Sequence, residues 1–256
     1  YKTEDRQRDC MYEDASGLPT EKGSKFFEFI GMELIPFVEK NYNTANFKMI
    51  VGHDHTANFI NYSLFKDVPL FDAYINLSPS FAPKMEDRIA KRLSEFEDKK
   101  FFYLATAEED NKKDAKRIRA LDASLKELKK DNIFYYYDDF KDANHNSLAV
   151  QAIPRAMSQI FSMYRPISVK EYKETISKLS TSPYLYLPDK YKTIKDLFGF
   201  EKRVSVNDFM AIYSAVRKGK DVEDLKLLAK LGKKEYPDTA LFHFFMGEYH
   251  EKNGSP

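Results

Sequence analysis

Residues 47–57, Phe47-Lys48-Met49-Ile50-Val51-Gly52-His53-Asp54-His55-Thr56-Ala57, decide how this chain is read. The apolar run at 47–51 (FKMIV) has the compactness of a buried strand, and helical spacing begins at Thr56 with only a tight turn between. A strand that runs straight into a helix through such a turn lifts one side chain above the end of a sheet, beside the first backbone N–H groups of the helix. In this chain that side chain is Asp54.

Working outward, three further strand-like runs follow at 73–77 (AYINL), 101–105 (FFYLA) and 133–137 (IFYYY). Each gap between them is long enough for a crossover helix, so the alternation predicts a mostly parallel α/β sheet with flanking helices. Helices are expected over 26–40, 56–65, 85–96, 111–130 and 147–164. The third crossover is the clearest, with Ala115, Ile118, Leu121, Leu125 and Leu128 in a stripe among charged residues. Ser24 is the expected cap of the helix over 26–40, where Phe26, Phe29, Ile30, Leu34, Phe37 and Val38 recur at helical spacing. Upstream, residues 1–25 are polar and hold Gly17, Pro19 and Gly23, which reads as a long surface loop. After Pro166 the strand-like runs stop, which divides the chain into an α/β domain over 1–166 and a small all-helical module over 167–256. Within the second part, residues 180–191 (STSPYLYLPDKY) read as a linker, and the pair 222–233 and 239–253 resembles one helical hairpin of a tetratricopeptide-type repeat, without a second copy.

Composition narrows the function classes. The chain has 256 residues, 43% hydrophobic and 32% charged, enough for a sizeable core. Its 41 Lys and Arg against 40 Asp and Glu leave a net charge of +1, so no global field draws it to nucleic acid or anionic lipid. With Cys10 as its one cysteine, the sequence holds no internal disulfide framework and no Cys-based metal or redox motif. No stretch approaches the ~18 apolar residues of a membrane span, and residues 1–25 lack a signal peptide's apolar core. No cofactor motif is present. The adjacent His53, Asp54 and His55 cannot all converge on one ion, and His243 and His250 lack further ligands, so no metal site is expected.

Five stretches together resemble the esterase family that includes enterochelin-esterase-like hydrolases: RQRD from Arg6, ELIPFVEKNY, the elbow GHDHTA, YINLSPSFAP and the late ANHNS. The resemblance spans about residues 3–164 and implies an α/β-hydrolase fold, with a carboxylic-ester-type bond as the target and a small-molecule ester or related ligand bound. It makes His145 the catalytic base. It places the orienting acid after the third strand, where Glu108, Glu109 and Asp110 are alternatives. Arg6 and Arg8 would lie near the pocket mouth. Family members carry several strands before the elbow, one of whose loops supplies an oxyanion donor, so the chain is expected to be a shortened piece or to lack those strands. Relatives are often exported in bacteria. The helical module offers a surface for a protein partner.

The elbow departs from the family at two positions. Asp54 stands where the family has its nucleophilic serine, and Thr56 puts a β-branched side chain where a glycine usually allows close packing of helix on strand. Asp54 has three readings. As a nucleophile, it resembles the elbow aspartate of haloalkane dehalogenases and epoxide hydrolases, with His145 activating water. As a general base it would activate water itself. As an inactive remnant it would leave a pocket that binds without turnover. The His55 N–H would face the oxyanion site and its side chain would line the pocket, whereas His53 reads as structural. Asp138, Asp139 and Asp142, ahead of His145, form an acidic turn that can also reach the imidazole.

Overall fold

The computed structural model describes residues 3–219 and 222–254, without the side chains of Thr3 and Arg6. The described chain divides into two compact units, 1–161 and 162–256.

In the first unit, four strands form one parallel sheet in the order β1 (Met49–His53), β2 (Ala73–Leu77), β3 (Lys100–Ala107) and β4 (Ile133–Phe140). Strands β2 and β3 are buried along their whole length, the continuous burial that a parallel sheet covered on both faces imposes. Tyr74, Phe102 and Leu104 pack into a core with Ile89 and Leu93 of α5 (Met85–Glu95) and with Ile118, Leu121 and Leu125 of α6 (Lys112–Lys126). Helix α7 (Leu148–Ile160) lies against β2, β3 and β4 and buries Leu148, Ala152, Ala156 and Ile160. Strand β1 forms one edge, where Val51 is exposed.

Strand β1 runs two residues later than its apolar run, because Gly52 and His53 continue the ladder opposite Asn76 and Leu77. Helix α4 (His55–Ile60) starts one residue beyond the strand and passes into a 3-10 turn over Asn61–Phe65. Gly52 makes this approach possible. A Cβ there would stand 2.5 Å from both Ala57 Cα and the Thr56 carbonyl oxygen, inside any real contact distance.

Residues 1–25 are not the loop expected. Helix α1 (Thr3–Cys10) forms with Glu4 and Asp5 in its first turn and Arg8 in its last, an arrangement that suits the helix dipole, and an Asp5 to Arg8 ion pair of 3.0 Å spans one turn. Such a helix is held by charge and by the buried Cys10, so apolar periodicity does not reveal it. The next helix also starts earlier than Ser24 suggests. Thr20 caps α2 (Glu21–Phe29) by accepting from Gly23 N–H at 3.2 Å, and a π-helical segment, Ile30–Leu34, joins it to α3 (Ile35–Asn41).

The second unit contains α8 (Val169–Glu174), α9 (Tyr186–Phe198), α10 (Val206–Lys218), α11 (Glu223–Glu235) and α12 (Leu241–Asn253). Most of the expected linker 180–191 is helical: a 3-10 turn over Pro183–Leu185 leads into α9, whose Leu187 and Tyr191 are buried. Both of its prolines sit at helix starts, where the missing N–H costs nothing. Buried carboxylates staple the unit. Asp208 accepts from Tyr191 Oη at 2.8 Å and from Ile167 N–H at 2.7 Å, and Asp224 accepts from Ser182 Oγ at 2.6 Å and Tyr184 N–H at 3.1 Å. Helices α11 and α12 form a hairpin. Among the described residues no helix is long and apolar enough to cross a membrane.

Replacing Gly52 by Ala should cost about 1–3 kcal/mol of stability, the usual penalty for forcing a methyl group into a filled contact. Urea unfolding of Gly52→Ala checks this, and an unchanged midpoint would mean that α4 can move off the strand freely.

Candidate active site

The turn between β1 and α4 is strained at one residue. Asp54 adopts φ 58° and ψ −124°, a conformation that non-glycine residues rarely accept and that persists where the surroundings determine it. Those surroundings are identifiable. Asp54 N–H donates to Leu77 O at 3.0 Å, and its carbonyl accepts from the N–H groups of Ala57 (3.1 Å), Asn58 (3.3 Å) and Ser80 (3.3 Å). Thr56 contributes a clip: its hydroxyl accepts from His53 N–H at 2.8 Å and donates to the His53 carbonyl at 2.7 Å. Beside this clip, Gly52 lets the helix backbone approach the strand closely, and the threonine hydroxyl satisfies two peptide groups at the end of the strand.

The acid that partners His145 is Asp110. It follows β3 directly, and its side chain is almost wholly buried (2% exposed). One oxygen accepts from Thr106 Oγ1 at 2.8 Å, from Ala107 N–H at 2.7 Å and from Ser78 Oγ in a short hydrogen bond. The other oxygen lies 3.0 Å from His145 Nδ1. Burial acts to raise the carboxyl pKa, but the hydrogen bonds from Ser78, Ala107, Thr106 and His145 outweigh it and hold the group below the ordinary carboxylate range. Glu108 and Glu109 are exposed.

His145 lies in the connection from β4 to α7, with its side chain 37% exposed. Asn144 shapes this turn, its Oδ1 accepting from Asn146 N–H at 3.0 Å and Ser147 N–H at 2.9 Å. With Nδ1 turned to Asp110, the Nε2 atom is left for chemistry, the orientation that a general base requires. Two of the acids ahead of His145, Asp138 and Asp139, belong to β4 and are engaged elsewhere. Asp138 bonds Tyr103 Oη (2.9 Å) and Gln159 Nε2 (3.2 Å), and Asp139 pairs with Lys141 (2.9 Å) and Arg119 (3.4 Å).

Asp54 and His145 are not hydrogen-bonded to each other among the described residues. The Asp54 carboxylate lies 3.8 Å from His55 Nε2, and His55 Nδ1 is buried without a partner. His53 packs on His145 with ring centroids 4.4 Å apart. Arg8 stands on α1, bonded to Asp5 and Asp9; the Arg6 side chain lies outside the described set. His243 and His250 are exposed on α12, and among the described residues no group of His, Cys, Asp or Glu is arranged to hold a metal ion.

Sequence reasoning missed Ser78 and a neighbouring cleft. Ser78, the residue after β2, also has positive φ (41°), and its hydroxyl donates to Asp110. The motif SPS signalled the turn but not its target. A cleft of about 410 Å³ adjoins the elbow through Ser80, with Tyr12, Asp14, Lys84, Lys113 and Asp114 in its wall. Asp114 titrates above the ordinary carboxylate range, because burial, and then the negative charges of Asp54 and Asp110, outweigh Arg117.

Because the folded pKa of Asp110 is depressed, the stability it contributes is fully present above the unfolded-state value near ~3.9 and is lost as pH falls from there through the folded value. Asp110→Asn should therefore lower stability near neutral pH by about 1–3 kcal/mol, with the gap to wild type narrowing in thermal melts taken below about pH 4.

No family model matches the chain, and no curated protein matches it. A crystal structure of an uncharacterised protein from Capnocytophaga ochracea is similar at 31% sequence identity and a TM-score of 0.88, covering 97% of this chain and 70% of that one. An IroE-like serine hydrolase from Shewanella oneidensis is similar at 18% identity and a TM-score of 0.62, over 96% of this chain and 76% of that one. The BES protein from Bacillus cereus follows at 20% identity and a TM-score of 0.52, over 61% and 65%. The chain thus has an α/β-hydrolase-like fold, and it belongs to the same family as the Capnocytophaga ochracea protein.

Proposed function

We propose that the first unit is a hydrolase built on the esterase plan, with Asp54 in the nucleophile position, His145 as base and Asp110 as its orienting acid, acting on a carboxylic-ester-type bond. The observation that carries this reading is the Asp110–His145 pair. A buried carboxylate with four hydrogen bonds directs an imidazole to the end of the sheet where a strained elbow presents Asp54. Burying a charge is costly, and a network this complete keeps one histidine nitrogen directed and the other available.

Attack by a carboxylate on an ester would give a mixed anhydride, a less stable intermediate than a serine ester. The favoured route therefore uses water. His145 Nε2 takes a proton from a water held by Asp54, and the hydroxide adds to the ester carbonyl carbon. The bond to the leaving alcohol then breaks, and the proton on His145 passes to the leaving oxygen. Asp110 stabilises the imidazolium between the two transfers, and the His55 N–H, heading α4, is the donor nearest the developing oxyanion. The charged wall of the adjoining cleft suits a polar substrate better than a long acyl chain.

A second reading, a binding protein with a disarmed site, is favoured by the Asp54–His55 contact and the lack of a direct bond from Asp54 to His145 among the described residues. Hydrolysis of short acyl p-nitrophenyl esters separates the two. Under the hydrolase reading, His145→Ala and Asp54→Asn each lower kcat/KM by about 10²–10⁴-fold. Absence of turnover in the wild type, with turnover created by Asp54→Ser, would establish the binding reading instead.

A further inference from the structure

His53 closes β1 and sits behind the elbow, where the sheet pleat turns its ring towards the β4–α7 connection. Its ring lies 4.4 Å from that of His145 at an interplanar angle of 37°. Its Nε2 is buried and has no hydrogen-bond partner. The route proposed above assigns this imidazole no role. We propose that His53 is a positioning residue for His145: a neutral, flat ring that holds the face of the base while Asp110 holds its edge. The proposal rests on the reading of His145 as the base.

The physical need is plain. His145 stands on a loop, more than a third exposed, with Asp110 on its Nδ1 as the one side-chain hydrogen bond among the described residues. A single bond fixes the distance of the ring from the carboxylate but leaves rotation about that bond open, whereas a second ring packed on its face removes that freedom. The second ring must also stay uncharged, since two imidazolium ions in contact would repel. The ionisable groups that face His53 are His145, Asp54 and Asp110. Burial first, and then the neighbouring His145, push the His53 pKa below its ordinary value, against the smaller opposing effects of the His145 carbonyl and the two aspartates. Burial thus favours the uncharged form of the ring that packs on His145.

The test is proton and nitrogen NMR of the histidines in the full chain, following the His145 Nδ1–H resonance and the titration of its ring proton in wild type, His53→Phe, His53→Gln and His53→Ala, with Asp110→Asn as reference. His53→Phe keeps a flat neutral ring and should keep the Nδ1–H resonance. His53→Gln and His53→Ala should broaden or lose it, as Asp110→Asn should, and should move the His145 midpoint down by about one pH unit, because a ring free to turn is held less well by the Asp110 carboxylate. If Ala prevents folding, Gln, which retains bulk without a ring, carries the comparison. An unchanged resonance and midpoint in His53→Gln would overturn the proposal. The readout needs no substrate, so a lack of ester turnover would sink the hydrolase reading alone. Where turnover exists, His53→Gln should lower kcat by about tenfold or more with KM little changed.

Discussion

The Asp110 carboxylate is the point on which the site depends. It gathers hydrogen bonds from Ser78 at the end of β2, from Thr106 and Ala107 at the end of β3, and from His145 in the connection after β4. Three successive strands thus end on one buried charge. In a parallel sheet all strands point the same way, so their C-terminal ends lie side by side and their loops share one edge. The carboxylate converts that topological accident into a fixed geometry. It also explains why Ser78 holds a positive φ: the turn that costs backbone energy is the one that delivers the hydroxyl.

The elbow solves a related problem by different means. Gly52 removes the side chain that would block α4, Thr56 satisfies the peptide groups of His53, and Asp54 absorbs the remaining strain. Placing a carboxylate there changes the electrostatics of the cleft. Burial first, with Asp54 and Asp110 adding to it against Arg117 and Lys113, holds the nearby Asp114 above the ordinary carboxylate range. An oxyanion formed in such a site needs well-directed donors at the head of α4. The two imidazoles flanking Asp54 in sequence act differently: His55 stays within ion-pair distance of the carboxylate, whereas His53 turns back against His145.

The sequence by itself determined the parallel α/β layout, because buried parallel strands read as unbroken apolar runs and their crossovers as 3.6-residue stripes. The tight turn from strand to helix also singled out Asp54, since a strand that meets a helix within one residue leaves little choice of geometry, whereas His145 was pointed to only by the resemblance to the esterase family. Helix α1 escaped notice because charge pairing, not periodicity, sustains it, and α9 was hidden by prolines that helix starts tolerate. Only the tertiary structure decided among Glu108, Glu109 and Asp110, three acids adjacent in sequence and equal in chemistry. It selected the one whose backbone places it over the ends of β2 and β3, within reach of Ser78 and His145. The packing of His53 on His145 belongs to the same class. These residues are 92 positions apart in the chain, and they touch because the parallel sheet puts the C-terminal ends of its strands on one side, where the connection after β4 carries His145 to the end of β1.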